Sequence, residues 1–241
     1  MALLLQMGMR KETVDIVGDI LSEMNTTFVV DGIVQNGGDS YTLLTCNTLY
    51  LHECKKITIN GDEYLITSVI HNTSITIEGN GLPNVDSFEI PLPTYFHGKA
   101  IDTNAELDMI DDKDTITPLV YLTETYTDRV YPNDELKERD VDLRIFFLTT
   151  ANYDDWLTNE HYDKVIRPMR SLVYNFIETL DKSKIIGKFA QYYDLTNHAK
   201  FGIFILRKGA TQRIFDDNFS GVELNIRLPI LKDMTDDGCC Y

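Results

Sequence analysis

The clearest pattern in the chain lies near its C-terminus. Val222, Leu224, Ile226, Leu228 and Ile230 alternate with Glu223, Asn225, Arg227 and Pro229. Period-2 alternation predicts a strand with one face on a core and the other on solvent or an interface. Before it, Phe215–Gly221 is rich in Asp, Asn, Ser and Gly and is read as a turn, and Phe201–Arg207 as a buried partner strand. Two earlier strands are predicted at Pro118–Tyr126 and Val141–Leu148, with a charged hairpin tip over 127–138 between them. In the second, Val141, Leu143, Ile145 and Phe147 take one face. Phe146 and Leu148 make the other face apolar too, which predicts cover on both sides at that end.

The period changes to 3.6 in two places. Val14, Val17, Leu21 and Met24, widened by Ile16 and Ile20, predict a helix over 10–24, with Glu12 and Asp15 near its positive end. Tyr162, Val165, Ile166, Met169, Leu172, Val173, Phe176, Ile177 and Leu180 predict the longest helix. Pro168 must sit in its first turn or kink it, because proline removes a backbone donor. Trp156, just before it, is read as a core plug.

Between Thr27 and Leu92 the chain breaks into short Thr- and Ile-rich strands. Asn36-Gly37-Gly38-Asp39, Asn60-Gly61-Asp62 and His71-Asn72-Thr73 mark their turns, and the Asn-Gly pair fits a type I′ hairpin. Strands at this spacing predict a small antiparallel barrel or sandwich. Its role stays open between an interaction platform and a spacing insert.

The organisation expected is therefore an N-terminal helix belonging to the core (1–26), an inserted β module (27–92), an acidic connecting loop or arm (93–117), an α+β core (118–231) and a flexible tail (232–241). Asp108, Asp111, Asp112 and Asp114 cluster in the connection without calcium-loop spacing. They are read as a solvated loop, with an arm across a neighbouring subunit as the sharper alternative.

Charge changes the picture more than composition does. Lys and Arg total 22 against 38 Asp and Glu, a net charge of −16. Such a chain disfavours nucleic-acid binding, which needs cations for phosphate. No apolar run reaches the ~20 residues that span a bilayer, so no membrane partner is expected and the protein is read as soluble and made in a cytoplasm. Cys46, Cys54, Cys239 and Cys240 fit free thiols better than a disulfide framework. His52 and Cys54 lack a second ligand pair for zinc, so no metal and no cofactor is expected. No phosphate loop, dinucleotide fingerprint or nucleophile elbow is present, and His52, His71, His97, His161 and His198 lie far apart. The chain is not read as an enzyme.

With the insert set aside, the order is helix, strand, strand, helix, strand, strand. This α-β-β-α-β-β core resembles the tail-terminator and tail-completion fold of tailed bacteriophages. Tyr41–Leu51, Pro93–Gly98, Arg144–Thr149 and Gly221–Ile230 are similar to segments in structural proteins of phages infecting Bacteroidetes, including the crAss-like phages. The resemblance implies a homo-oligomeric ring in the neck or tail of the virion, assembled in the host bacterial cytoplasm. It also implies contacts with neighbouring portal, connector or tail proteins, and DNA passing through the lumen without specific binding.

Subunit or ring contacts are expected at the 127–138 tip (Asp128, Arg129, Asp134, Glu135), the 99–116 loop, the 215–221 turn (Asp216, Asp217, Phe219) and the polar face of the last strand (Glu223, Arg227). The alternative is a baseplate or adhesion module that binds a host glycan through the β insert, with Tyr41, Tyr50 and Tyr64 as its stacking aromatics.

Overall fold

The computed structural model describes residues 11–81, 85–99, 104, 107, 116–134, 136–151, 158–188, 193–205, 211–213 and 218–232. It is an α+β fold. Helix α1 (Thr13–Ser22) buries Ile16, Val17, Ile20 and Leu21, the stripe the periodicity predicts. Strands β1 (Thr27–Val29), β2 (Gly32–Gly37), β3 (Ser40–Leu44), β4 (Lys56–Ile59), β5 (Asp62–Ile70), β6 (Ser74–Glu78) and β7 (Ser87–Glu89) make the β module. Then come β8 (Thr94–Gly98), β9 (Leu119–Thr123), β10 (Thr127–Val130) and β11 (Lys137–Thr150). A helical turn α2 (Thr158–His161), a π-turn (Tyr162–Ile166) and helix α3 (Arg167–Lys182) lead to β12 (Asp194–Phe201), β13 (Ile203–Ile205), β14 (Thr211–Arg213) and β15 (Phe219–Leu231).

The central sheet runs β12-β15-β11-β9-β8, with β10 also on β11. All its pairs are antiparallel except β8 with β9. One face carries Val141, Leu143, Ile145, Phe147, Val222, Leu224 and Ile226 into the main core, against α3. Phe147 meets Phe176 edge-on, with ring centroids 5.6 Å apart. The other face of β11 is apolar at its end, as expected: Phe146 and Leu148 join Leu107, Ile116, Leu119, Tyr121 and Phe219 in a second cluster.

The π-turn ends immediately before Arg167-Pro168, and Pro168 sits in the first turn of α3. Proline has no N–H to close an i→i−4 bond and its ring crowds that carbonyl. The wider turn is where the helix absorbs this.

Four expectations change. The strand expected at Phe201–Arg207 is divided: Phe201 ends β12, Gly202 turns the chain at φ +74°, and Ile203–Ile205 pairs with β14 instead. The partner of β15 on the side away from β11 is β12, which the sequence hides because its side chains are mostly exposed and do not alternate cleanly. The expected 215–221 turn also ends sooner, because β15 starts at Phe219 and Gly221 lies inside the sheet. Finally, the connection expected over 93–117 begins with a strand, β8, that extends the sheet beside β9.

The module is also less separate than an insert. Its sheet, β2-β3-β6-β5-β4, has β2 and β4 at its two ends, while β1 and β7 pair apart, held by stacked Phe28 and Phe88. Asn60 (φ +54°) and Gly61 (φ +95°) make the expected two-residue turn. The loop after β3 drives Leu49, Tyr50 and Leu51 into the same core as α1, α3 and the central sheet. Lys55, almost wholly buried, donates to the Thr117 carbonyl at 2.5 Å and ties the module to the segment that leads into β9. Trp156, the Asp108–Asp114 cluster and the 233–241 tail lie outside the described residues.

Candidate interaction site on the second face of the central sheet

Alternation along β11 and β15 sends Asp142, Arg144, Glu223, Asn225 and Arg227 to the face opposite α3. Pairing then sets Asp142 opposite Arg227 and Arg144 opposite Asn225. Two ion-pair systems result. Arg144 grips Glu223 with both ends of its guanidinium, Nε to Oε1 at 2.6 Å and Nη2 to Oε2 at 3.0 Å. His198 Nε2 lies 2.6 Å from Oε2, and Asn225 Nδ2 donates to Oε1 at 2.8 Å. Glu223 is only 5% exposed. Burial raises its carboxyl pKa, but the hydrogen bonds from Arg144, Asn225 and His198 and the Arg144 charge outweigh that and hold it at about 2.

The second system is more open. Arg227 Nε donates to Asp142 Oδ1 at 2.5 Å and Nη2 to Oδ2 at 3.2 Å, and Arg129 reaches Oδ2 at 3.1 Å. Beside both runs a groove of about 290 Å³, lined by Asp142, Arg144, Tyr193, Asp194, Asn225 and Arg227. It is a charge-balanced strip in a strongly acidic chain. Chemically it can hold polar or charged groups of a partner; it has no nucleophile.

The remaining expected contact residues separate. Asp128 stands 3.7 Å from Arg139, and burial raises its pKa. Asp134 accepts from the Leu136 and Lys137 amides, both at 2.9 Å, so it builds the tip rather than offering a free charge. Phe219 is buried in the second cluster and is a core residue of this chain. Glu223 is spent on Arg144, Asn225 and His198, while Arg227 keeps half its side chain exposed. Glu135, Asp216 and Asp217 lie outside the described residues. Sequence reasoning missed Arg144 and His198, because they meet Glu223 only through strand register. Tyr41, Tyr50 and Tyr64, the aromatics offered for sugar stacking, are all buried: Tyr50 donates to the Pro91 carbonyl and Tyr64 to the Asn80 carbonyl.

A Ser–His pair does occur. His161 Nε2 lies 2.7 Å from Ser220 Oγ. The hydroxyl, however, donates its one proton to the His198 carbonyl at 2.8 Å, so Nε2 must be the donor to Oγ. A base needs the opposite arrangement, and Ser220 is fully buried. His52, buried between Thr149 Oγ1 (3.2 Å) and the Glu53 carbonyl (2.9 Å), is pushed down to about 4 by burial. It borders a second cavity of about 170 Å³ lined by Glu53, Val69, Glu160, Asp163, Lys164 and Pro168, across which Lys164 pairs with Glu53 at 2.9 Å. Cys46 and Cys54 are exposed free thiols. Among the described residues no cluster of three or more His, Cys, Asp and Glu is placed to hold a metal, and no helix is long and apolar enough to cross a membrane.

No protein-family model, no curated protein and no solved structure matches this chain.

Proposed function

We propose that the chain is a structural subunit that forms a homo-oligomeric ring in the head–tail connector or tail of a tailed bacteriophage. The observation that carries the reading is the element order around the central sheet. With the module, the added sheet strands β8 and β10 and the short β13–β14 pair set aside, α1, β9, β11, α3, β12 and β15 run helix-strand-strand-helix-strand-strand, the order for which the sequence resembles a tail-terminator core. The sheet ends in β12 on one side and β8 on the other, and unpaired strand edges suit repeated head-to-tail contacts that close on themselves. The net charge of −16 suits a surface past which DNA slides without sticking. Neighbouring rings, portal or tail proteins are the partners in this reading.

Light scattering on the purified chain, with electron microscopy of particles, tests it. The expected result is a defined multimer and a ring at a fixed position in the neck or tail. A chain that stays monomeric at every concentration and is missing from particles ends the proposal.

A further inference from the structure

Asparagine is followed by glycine at Asn36-Gly37, Asn60-Gly61 and Asn80-Gly81. The pair is chemically labile, because a glycine nitrogen, with no Cβ beside it, reaches the asparagine side-chain carbonyl readily. Folding gives each pair different surroundings. Asn36 is held: its Nδ2 donates to Thr42 Oγ1 at 2.9 Å and to Ser40 Oγ at 3.4 Å, and Gly37 lies inside β2 opposite Ser40. Asn80-Gly81 runs directly into 82–84, which lie outside the described residues.

Asn60-Gly61 is open. Asn60, Gly61 and Asp62 are all exposed. The pair makes the two-residue turn of the β4–β5 hairpin, with Ile59 opposite Asp62. The hydrogen bond that closes such a turn joins its outer residues, here Ile59 and Asp62, and leaves the Gly61 amide unused. Among the described residues neither that amide nor the Asn60 side chain has a hydrogen-bond partner. A Cβ built on Gly61 meets nothing within 4 Å, so there is room for a ring to form.

We propose that Asn60 is a site of spontaneous deamidation to aspartate and isoaspartate, and that the isoaspartate releases the turn end of β4. Hydroxide takes the proton from the Gly61 nitrogen, which attacks Asn60 Cγ. The bond from Cγ to Nδ2 breaks, and Nδ2 takes a proton from water and leaves as ammonia. The cyclic imide then adds one water. Opening at Cγ gives aspartate; opening at the Asn60 main-chain carbonyl gives isoaspartate, whose backbone runs through the former side chain. Nothing is oxidised or reduced. Isoaspartate lengthens the loop by one backbone carbon, and loop length is what fixes hairpin register. Both products add negative charge beside Asp62 and Glu63. Strand β4 ends its sheet and is paired with β5, so the burial of Ile59 is left to oppose release once the Ile59–Asp62 pair opens. The far end of β4 is anchored independently of the turn: the Cys54 amide donates to the Ile66 carbonyl at 2.8 Å, and the Ile66 amide to the Lys55 carbonyl at 2.9 Å. Loosening therefore starts at Ile59 and stops short of Lys55.

Ageing the full native chain in water enriched in heavy oxygen, followed by digestion and mass spectrometry, tests the site. Asn60 is expected to become labelled aspartate and isoaspartate while Asn36 stays unlabelled. The rate should rise about tenfold from pH 7 to pH 8, as the deprotonated fraction of an amide does. Hydrogen exchange on the aged protein should then show protection lost at the Ile59 and Asp62 amides and kept at Cys54. Asn60→Gly suits the positive φ of the turn and carries no side-chain amide, so it should age with neither change. A native chain in which Asn60 stays unlabelled, or in which Asn36 is labelled as fast as Asn60, overturns the site. Isoaspartate at position 60 with Ile59 and Asp62 as protected as before overturns the release of β4.

Discussion

At the scale of single residues, two buried ionisable groups each make stability rise with pH, one in the acid range and one in the alkaline range. Glu223 is held at about 2, below its unfolded value, so it favours the folded state fully above about pH 4.5. That contribution is lost as pH falls from there toward 2. Its size is about 3–4 kcal/mol, given about 1.4 kcal/mol per pKa unit between 4.5 and 2. Glu223→Gln should therefore unfold at lower denaturant near neutral pH, and its difference from wild type should shrink by pH 3. Equal loss at both pH values would show that the carboxylate charge is not what matters. Lys55 acts in the alkaline range, where a cost of burial is relieved. Burial lowers it to about 8 from an ordinary value of 10.5. Between those values the unfolded chain holds more protons, so stability from this group rises with pH. Lys55→Met removes the buried charge, and the gap between variant and wild-type melting temperatures should move in favour of wild type from pH 8 to pH 10. A constant gap would locate the lysine's effect in packing alone.

At the scale of elements, the tightest constraint is where β15 crosses β11. A Cβ built on Gly221 falls 1.9 Å from the Phe147 carbonyl oxygen, and its nearest neighbours are all β11 backbone, which leaves no flexible side chain to yield. Gly221→Ala should separate the strands and cost about 3 kcal/mol or more, as a steric clash in a packed sheet does; chemical denaturation checks it, and a loss below 1 kcal/mol would mean the strands yield freely. Legibility divides along the same lines. The β15 alternation, the two-sided burial of Phe146 and Leu148, and the Asn60-Gly61 turn were all readable, since each follows from local period or local backbone preference. Strand β12 was not, because an edge strand with exposed side chains leaves no apolar period. The Arg144–Glu223–His198 cluster was not, because its members are brought together by register, which no local pattern encodes. The tip was visible as a polar excursion, yet its exposed Val130 and Leu136 are what stand out once Asp134 is seen capping the turn.

At the scale of the whole molecule, the central question is whether the β module and the sheet core are one cooperative unit. The sequence separates them by a change of period at Thr27, and that boundary is visible in the strands. The core crosses it. Phe28, Leu49, Tyr50 and Leu51 from the module share one continuous cluster with Ile16, Val165, Phe176 and Leu224. Burying a side chain of this size contributes roughly 1.5–3 kcal/mol, so the shared residues represent a large part of a net stability that is itself only about 5–15 kcal/mol. Neither part keeps its core if the other unfolds. Denaturation should thus show a single transition, with aromatic fluorescence and backbone circular dichroism coinciding at the same midpoint. Tyr50→Ala, which empties a fully buried site beneath the Pro91 carbonyl, should cost about 3–5 kcal/mol of stability and lower that midpoint for both probes together. Two separated transitions, with only one moved by Tyr50→Ala, would instead make the module an independent domain carried by the sheet core.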